Sequence, residues 1–247
     1  MEVLKIVNGN CTIYGNLFRP KEQGPRPAII MCHGYNGIAD DFLEESKYYA
    51  EHGYISYSFD FCGGSNRCRS TGRKSTEMTL FTEKSDLMAV FDHISQMEEV
   101  DSNRVYLMGG SQGGLVSALC AEELQERIRA MALYFPALCI PDNWRKAYPD
   151  SSEIPEEDNF WDMRLSKNFF LAMKDLYVFD SIGKFRNPVY ILQGDQDVVV
   201  RPSDSQRAVD LYPNAKLKVM EGETHGFSEE GKRFAMEEVL KFMEENK

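Results

Sequence analysis

The chain has 247 residues, of which 43% are hydrophobic and 27% charged, so it can form one large domain with a substantial core. Because its net charge is −11, its surface repels phosphate backbones and anionic lipids, and we expect neither a nucleic-acid partner nor a membrane partner. No apolar run approaches the about 20 residues that a membrane-spanning helix needs. Residues 1–10 lack the basic and apolar segments of a secretion signal, which favours a cytoplasmic location.

Short β-branched and aromatic segments alternate with amphipathic segments, which is typical of a mostly parallel sheet flanked by helices. Residues 3–7 and 12–18 are predicted to open the chain as a strand pair, joined by a turn at Asn8-Gly9-Asn10. Further strands are predicted at Ala28–Cys32, Ile55–Asp60, Arg104–Met108, Ala130–Phe135, Val189–Gln193 and Lys216–Met220. Helices are predicted near residues 41–52, 82–97, 113–126, 203–211 and 229–245. The sequence therefore predicts an α/β fold.

One long region interrupts this alternation between two predicted core strands. Residues 136–185 contain no clean strand, several prolines, an acidic stretch from Glu153 to Asp158 and many large aromatic side chains. A plain loop of that length is uncommon inside an α/β sheet. We therefore predict an inserted cap at residues 136–185 and a core formed by residues 1–135 and 186–247.

Neither a metal nor a cofactor is expected. The four histidines are scattered, no H-E-x-x-H motif occurs, and no glycine-rich phosphate loop follows the first strands. Cys62 and Cys68 are close enough in sequence for a disulfide, but reduced thiols are expected in a cytosolic protein. No C-x-x-C pair occurs among the six cysteines, Cys11, Cys32, Cys62, Cys68, Cys120 and Cys139.

The strongest local motif is the G-x-S-x-G pattern Gly109-Gly110-Ser111-Gln112-Gly113. It lies directly between the predicted strand RVYLM and the helical segment LVSALCAEEL. A nucleophile on a sharp strand-to-helix turn needs glycine two residues before and after it, because the neighbouring backbones approach closely. The following helix N-terminus offers free N–H groups to an oxyanion. The pattern predicts Ser111 as a nucleophile.

A serine nucleophile needs a base, and on this type of sheet the order along the chain is serine, acid, histidine. His225 is the only histidine after Ser111, and it follows the predicted strand KLKVM. The strand VYILQG supplies two candidate acids, Asp195 at its tip and Asp197 two residues later. We favour Asp197, because the apolar run Val198–Val200 can anchor it, and we interpret Asp195 as a turn residue that caps its own backbone.

An oxyanion hole requires two backbone N–H groups. Gln112 can supply one, and because only its backbone is involved, its side chain is expected to matter little. The second is expected from Tyr35, in the loop His33-Gly34-Tyr35-Asn36-Gly37 that follows the strand AIIMC. His33 itself is interpreted as a hydrogen-bonded residue that shapes this loop.

Taken together, these motifs resemble bacterial cinnamoyl (feruloyl) esterases of the α/β-hydrolase superfamily. The resemblance extends from about residue 11 to the C-terminus, although the position before the nucleophile is often His in these esterases and is Gly110 here. The resemblance implies an α/β-hydrolase fold with a cap, a catalytic triad of Ser111, Asp197 and His225, and an oxyanion hole formed by Tyr35 and Gln112. The segments that carry it are His33-Gly34-Tyr35, Phe59-Asp60-Phe61, Met78-Thr79, Glu83, Asp86, Gly109–Gly114, Gly194–Asp197 and His225-Gly226-Phe227.

The predicted function is that of a serine carboxylic ester hydrolase that forms an acyl-enzyme. The resemblance implies hydroxycinnamoyl esters, feruloyl or p-coumaroyl, linked to a small molecule such as a sugar. Trp144, Trp161 and Phe170 in the cap are candidate substrate contacts, although most cap aromatics are expected to be structural. A short-chain acyl esterase, a thioesterase and a non-catalytic ligand-binding protein on the same scaffold remain open as alternatives, as does a homodimer.

Overall fold

A single eight-stranded sheet forms the centre of the computed structural model, which describes all residues from 1 to 247. In chain order the strands of the protein are β1 (Glu2–Asn8), β2 (Cys11–Phe18), β3 (Arg26–Cys32), β4 (Ile55–Phe59), β5 (Val100–Gly110), β6 (Ala130–Tyr134), β7 (Glu157–Phe160), β8 (Met163–Ser166), β9 (Val189–Gly194) and β10 (Ala215–Met220). The large sheet has the order β1-β2-β4-β3-β5-β6-β9-β10, and only β1 and β2 run antiparallel to their neighbours. The prediction of a mostly parallel sheet is confirmed.

Helices follow the strands and cover both faces of the sheet. They are α1 (Leu43–Glu51), α2 (Leu80–Ser95), α3 (Gln112–Leu124), α4 (Ile140–Ala147), α5 (Lys167–Met173), α6 (Val178–Ser181), α7 (Pro202–Leu211) and α8 (Glu229–Glu245). All five predicted helices are present. The helix predicted to start at residue 82 begins at Leu80, because the Thr79 side chain caps it by accepting a hydrogen bond from the Thr82 N–H. None of the helices combines the length and apolar composition that crossing a bilayer requires.

Alternate side chains of the central strands pack on opposite faces of the sheet, as the pleat requires. Ile30 and Leu107 belong to the larger apolar cluster, which includes the buried faces of α2 and α3. Their chain neighbours Ile29 and Tyr106 belong to the smaller cluster, which includes the buried face of α8. The sheet is therefore buried on both faces, which explains the near-continuous apolar runs of its strands.

Residues 136–185 contain a strand pair that the sequence did not predict. The expectation of no strand in this region was wrong, because β7 and β8 form an antiparallel hairpin. Its two turn residues, Trp161 and Asp162, both have positive φ angles, 42° and 62°, as a two-residue hairpin turn requires. The acidic, polar sequence of β7 lacks the apolar alternation by which strands are recognised.

The insertion shares the core of the rest of the molecule. Its buried side chains, such as Met163 and Phe169, belong to the same apolar cluster as those of α2 and α3. The division of the chain into core and cap stays a prediction. All six cysteines are free, including Cys62 and Cys68.

The turn between β5 and α3 depends on glycines. A Cβ atom on Gly113 would lie 2.2 Å from the carbonyl oxygen of Cys32 and 2.4 Å from that of His33. A Cβ atom on Gly109 would lie 2.4 Å from the carbonyl oxygen of Gly113. These contacts are with backbone atoms, which cannot rotate away. The start of α3 can therefore lie against the end of β3 only without side chains at these two positions.

We expect Gly113→Ala to destabilise the fold by more than about 3 kcal/mol, because overpacking against fixed backbone is costly. Gly110→Ala is the matched control. Its Cβ would meet only side-chain atoms, the tip of the Phe42 ring at 3.3 Å and the edge of the Phe135 ring at 3.8 Å, and side chains can move. Urea unfolding of the two variants measures the difference. Equal stability of Gly113→Ala and the wild type would contradict the close approach of these backbones.

Candidate active site

Ser111 lies at the sharp turn between β5 and α3. Its backbone has a φ angle of 51°, which is strained for a residue with a side chain. Its N–H donates to the Tyr134 carbonyl oxygen at 2.9 Å, and its own carbonyl oxygen accepts from the Ala137 N–H at 2.9 Å. These bonds fix the turn to the end of β6, and the Ser111 hydroxyl lines a cavity next to it.

The structure brings Ser111, His225 and Asp197 into one chain of hydrogen bonds. His225 follows β10, and its Nε2 lies 3.0 Å from the Ser111 hydroxyl oxygen. Its Nδ1 lies 2.9 Å from the Asp197 carboxylate. Because a carboxylate can only accept, Nδ1 carries the proton and Nε2 is left to accept from the serine hydroxyl. The Phe135 ring packs against the imidazole at 4.6 Å between ring centroids.

Asp197 is held in one orientation by four hydrogen bonds. Its Oδ1 accepts from the backbone N–H groups of Val199 and Val200 at 2.8 and 2.9 Å. Its Oδ2 accepts from His225 and from the side-chain amide of Gln193, the latter at 3.0 Å. The side chain is completely buried. These donors compensate for the loss of water around the charged carboxylate.

Asp195, the other acid considered, has a different environment. It is exposed, and its Oδ1 accepts from the Gly222 N–H at 2.8 Å, in the turn that follows β10. Asp195 therefore stabilises the turn that follows β10. The expectation that it caps its own backbone was wrong. Asp195 makes no hydrogen bond to His225.

Sequence reasoning missed Gln193 and Ser205. Gln193 is hydrogen-bonded to Asp197, and Ser205 is hydrogen-bonded to Gln193. The Gln193 amide also donates to the Val200 carbonyl oxygen at 3.2 Å, and its Oε1 accepts from the Ser205 hydroxyl at 2.7 Å. Both side chains are fully buried. Gln193 could have been noticed in the sequence, because it is a polar residue near the end of the otherwise apolar strand β9. A buried polar side chain requires hydrogen-bond partners, which indicates a supporting role.

Tyr35 and Gln112 line the same cavity as Ser111. Gln112 is the first residue of α3, so its N–H has no partner within the helix. The Tyr35 N–H likewise donates to no other group of the chain. Both N–H groups are therefore free to bind an oxygen atom in the cavity.

His33 shapes the Tyr35 loop, as expected. Its Nε2 accepts from the Phe61 N–H at 3.1 Å, so the ring proton lies on Nδ1, which donates to the Gly34 carbonyl oxygen at 2.7 Å. Burial lowers the pKa of His33, in keeping with this neutral form. Because the Gly34 carbonyl and the Tyr35 N–H belong to one planar peptide unit, His33 also fixes the direction of that N–H.

The cavity next to Ser111 has a volume of about 420 Å³ and a mostly apolar lining. Val198–Val200 form one wall, and cap aromatics form another. Trp144 and Trp161 line the cavity as predicted, but Phe170 does not. Phe170 is buried behind Trp144, with 4.5 Å between ring centroids. Its neighbour Phe169 lines the cavity instead, because consecutive residues of α5 point in different directions.

Trp161 is at the tip of the β7–β8 hairpin and is 59% exposed. The tip is tied to the Tyr35 loop by two hydrogen bonds. The Tyr35 hydroxyl donates to the Phe160 carbonyl oxygen at 2.8 Å, and the Asn36 amide donates to the Trp161 carbonyl oxygen at 3.3 Å. The hairpin therefore holds an aromatic ring over the mouth of the cavity.

Comparisons with known proteins identify relatives of this chain. Acetyl esterase Axe7A of Xylanibacter ruminicola is 25% identical over an alignment of 225 residues, and the alignment covers 78% of this chain and 48% of the relative. The chain thus spans about half the length of that protein. The structure of Est1E from Butyrivibrio proteoclasticus with ferulic acid bound superposes with a TM-score of 0.90 at 28% identity, and 98% of each chain is covered.

The fold is shared more widely than the sequence. The mouse alpha/beta hydrolase domain-containing protein 10 superposes over 99% of both chains with a TM-score of 0.80, although the sequences are only 16% identical. This likeness shows the α/β-hydrolase fold and no more. The profile of the acetyl xylan esterase (AXE1) family matches residues 5–245. The chain therefore belongs to the acetyl xylan esterase family and has the α/β-hydrolase fold.

Proposed function

We propose that the protein is a serine carboxylic ester hydrolase that forms an acyl-enzyme on Ser111. The observation that carries this proposal is the hydrogen-bond chain from the Ser111 hydroxyl through His225 to Asp197, at 3.0 and 2.9 Å. It lies at the edge of an apolar cavity, next to two free backbone N–H groups. Membership of an esterase family supports the same reaction class.

The reaction follows from this geometry. His225 takes the proton from Ser111 as the serine oxygen bonds to the ester carbonyl carbon, and Asp197 stabilises the imidazolium that forms. The carbonyl oxygen becomes an oxyanion, bound by the N–H groups of Tyr35 and Gln112. Cleavage of the ester bond releases the alcohol, protonated by His225. A water molecule, deprotonated by His225, then attacks the acyl-enzyme, and the acid is released as His225 returns the proton to the Ser111 oxygen.

For the acyl group we propose a hydroxycinnamoyl moiety such as feruloyl or p-coumaroyl. The cavity volume lies within the range of about 300–1,000 Å³ that is usual for small-molecule sites. Its lining includes the aromatic residues Trp144, Trp161 and Phe169, which suit an aromatic ring. The structure of Est1E, with ferulic acid bound, has a TM-score of 0.90 to this chain, which supports the proposal.

The second candidate is an acetyl ester. It is favoured by the matching family, acetyl xylan esterase, and by the similarity to the acetyl esterase Axe7A. An acetyl group would leave most of the 420 Å³ cavity unfilled, so it would gain little from the aromatic walls. Rates for methyl ferulate, p-nitrophenyl acetate, p-nitrophenyl butyrate and an acyl-CoA distinguish the aryl, acetyl, short-chain and thioester alternatives.

Replacement of the nucleophile is the first test of the reaction. We expect Ser111→Ala to lower kcat by on the order of 10⁶ and to abolish labelling by a fluorophosphonate, since both require the serine oxygen. Circular dichroism of the variant controls for folding. An active, labelled and folded Ser111→Ala protein would exclude the serine mechanism. A wild type that neither reacts with the probe nor hydrolyses esters would favour the ligand-binding alternative.

The two aspartates give a matched pair of variants. We expect Asp197→Asn to lower kcat by roughly 10⁴, because an amide facing Nδ1 favours the wrong imidazole tautomer. Asp195→Asn should change kcat by less than about tenfold, because Asp195 makes no hydrogen bond to His225. Steady-state kinetics of both variants decide the point. A larger loss in Asp195→Asn would reverse the assignment.

The acyl preference is tested at the hairpin tip. We expect Trp161→Ala to raise KM for methyl ferulate several-fold more than for p-nitrophenyl butyrate, since only the aryl group reaches the indole face. Phe170→Ala is the control, because Phe170 does not line the cavity and should affect stability more than relative KM. Equal effects of Trp161→Ala on both esters would argue against the aryl site.

A further inference from the structure

A buried carboxyl group contacts one of the two residues proposed to bind the oxyanion. Glu83, in the first turn of α2, accepts a hydrogen bond from the Gln112 side-chain amide at 2.8 Å. Both side chains are almost completely buried, at 1% and 2% exposure. Gly64 leaves room for the carboxyl, since a Cβ atom there would lie 3.2 Å from Glu83 Oε1. The Gln112 side chain, expected to be dispensable, is therefore anchored inside the protein.

The charges around Glu83 leave it without a counterion. The nearest cation, Arg73, is paired with Asp86 at 2.8 Å, and none of the ion pairs in the structure includes Glu83. The other ionisable groups that act on it are Asp86, also on α2, and Cys32 and Tyr35, and burial raises the pKa of both Cys32 and Tyr35, that of Cys32 to about 12. Burial and, to a smaller extent, the Asp86 carboxylate raise the pKa of Glu83, to about 8, while the hydrogen bond from Gln112 and the charge of Arg73 lower it. The group is therefore an uncharged acid at neutral pH.

We propose that Glu83 is a positioning residue for the oxyanion hole and that it must be uncharged to support the reaction. This inference rests on the proposed function. The hydrogen bond from Gln112 to Glu83 fixes the first residue of α3, so that the Gln112 N–H keeps its direction toward the cavity. An ionised Glu83 would place a negative charge beside Gln112 and Tyr35 and oppose the developing oxyanion.

A pH dependence follows, with a definite sign. Below about pH 8 the Glu83 carboxyl is protonated, and above it the carboxyl ionises. The kcat of the wild type should therefore fall as the pH rises through this value, by roughly tenfold between about pH 7 and about pH 9. KM should change little, because the oxyanion exists only after the serine has attacked.

Glu83→Gln tests this directly. The substituted amide can still accept from Gln112 through its oxygen, but it cannot ionise. We expect the ratio of kcat at about pH 9 to kcat at about pH 7 to rise toward one in this variant. The matched control is Glu45→Gln, which removes another buried carboxyl, on α1, where burial raises the pKa to about 7. Glu45 faces Lys232 and Glu229 of α8, and its loss should leave the wild-type pH profile unchanged.

A second variant keeps the proposal testable if Glu83→Gln does not fold. Gln112→Met removes the donor that lowers the Glu83 pKa, so the alkaline fall in kcat should move to higher pH. An unchanged alkaline fall in a folded Glu83→Gln or Gln112→Met protein would overturn the proposal. A wild type that hydrolyses no ester and resists a fluorophosphonate would instead overturn the proposed function itself. The two failures are therefore distinguishable.

Discussion

The close approach of two backbones at the end of the sheet determines where the serine can be placed. Gly113 lies against the carbonyl groups that end β3, and this contact bends the chain sharply at Ser111, whose φ angle is 51°. The bend directs the serine hydroxyl away from the sheet and toward His225. It also starts α3 directly after the nucleophile, which leaves the Gln112 N–H without a helical partner. Nucleophile and oxyanion donor are thus consequences of one steric constraint.

The hydrogen-bond chain from Ser111 through His225 ends on a buried carboxylate. Asp197 is buried, but its four hydrogen bonds satisfy the carboxylate, and Gln193 supports it from the adjoining strand. On the opposite side of the site, burial raises the pKa of Glu83 to about 8, which favours its uncharged form at neutral pH. This asymmetry suits ester cleavage, in which positive charge develops on His225 and negative charge on the carbonyl oxygen.

The elements outside residues 136–185 and the turn at Ser111 could be predicted from the sequence, because they depend on local periodicity and on glycine spacing. The position of His225 followed from its order in the chain. What could not be predicted depends on contacts between distant segments. Phe169 lines the cavity and Phe170 does not, and this depends on which side of α5 faces the cavity. The hydrogen-bond partners of Gln193 and Glu83 come from other segments of the chain, so they cannot be read from the sequence alone. The β7–β8 hairpin escaped prediction because β7 is acidic and polar and β8 has only four residues.

Trapping the acyl group during turnover tests the central claim most directly. The reaction with a p-nitrophenyl ester can be quenched in acid within the first turnovers, digested and examined by peptide mass spectrometry. We predict a mass increase equal to the acyl group on the peptide that contains Ser111, together with a burst of p-nitrophenol. A burst with the acyl group on any other residue would contradict the account, as would steady hydrolysis with Ser111 unmodified throughout.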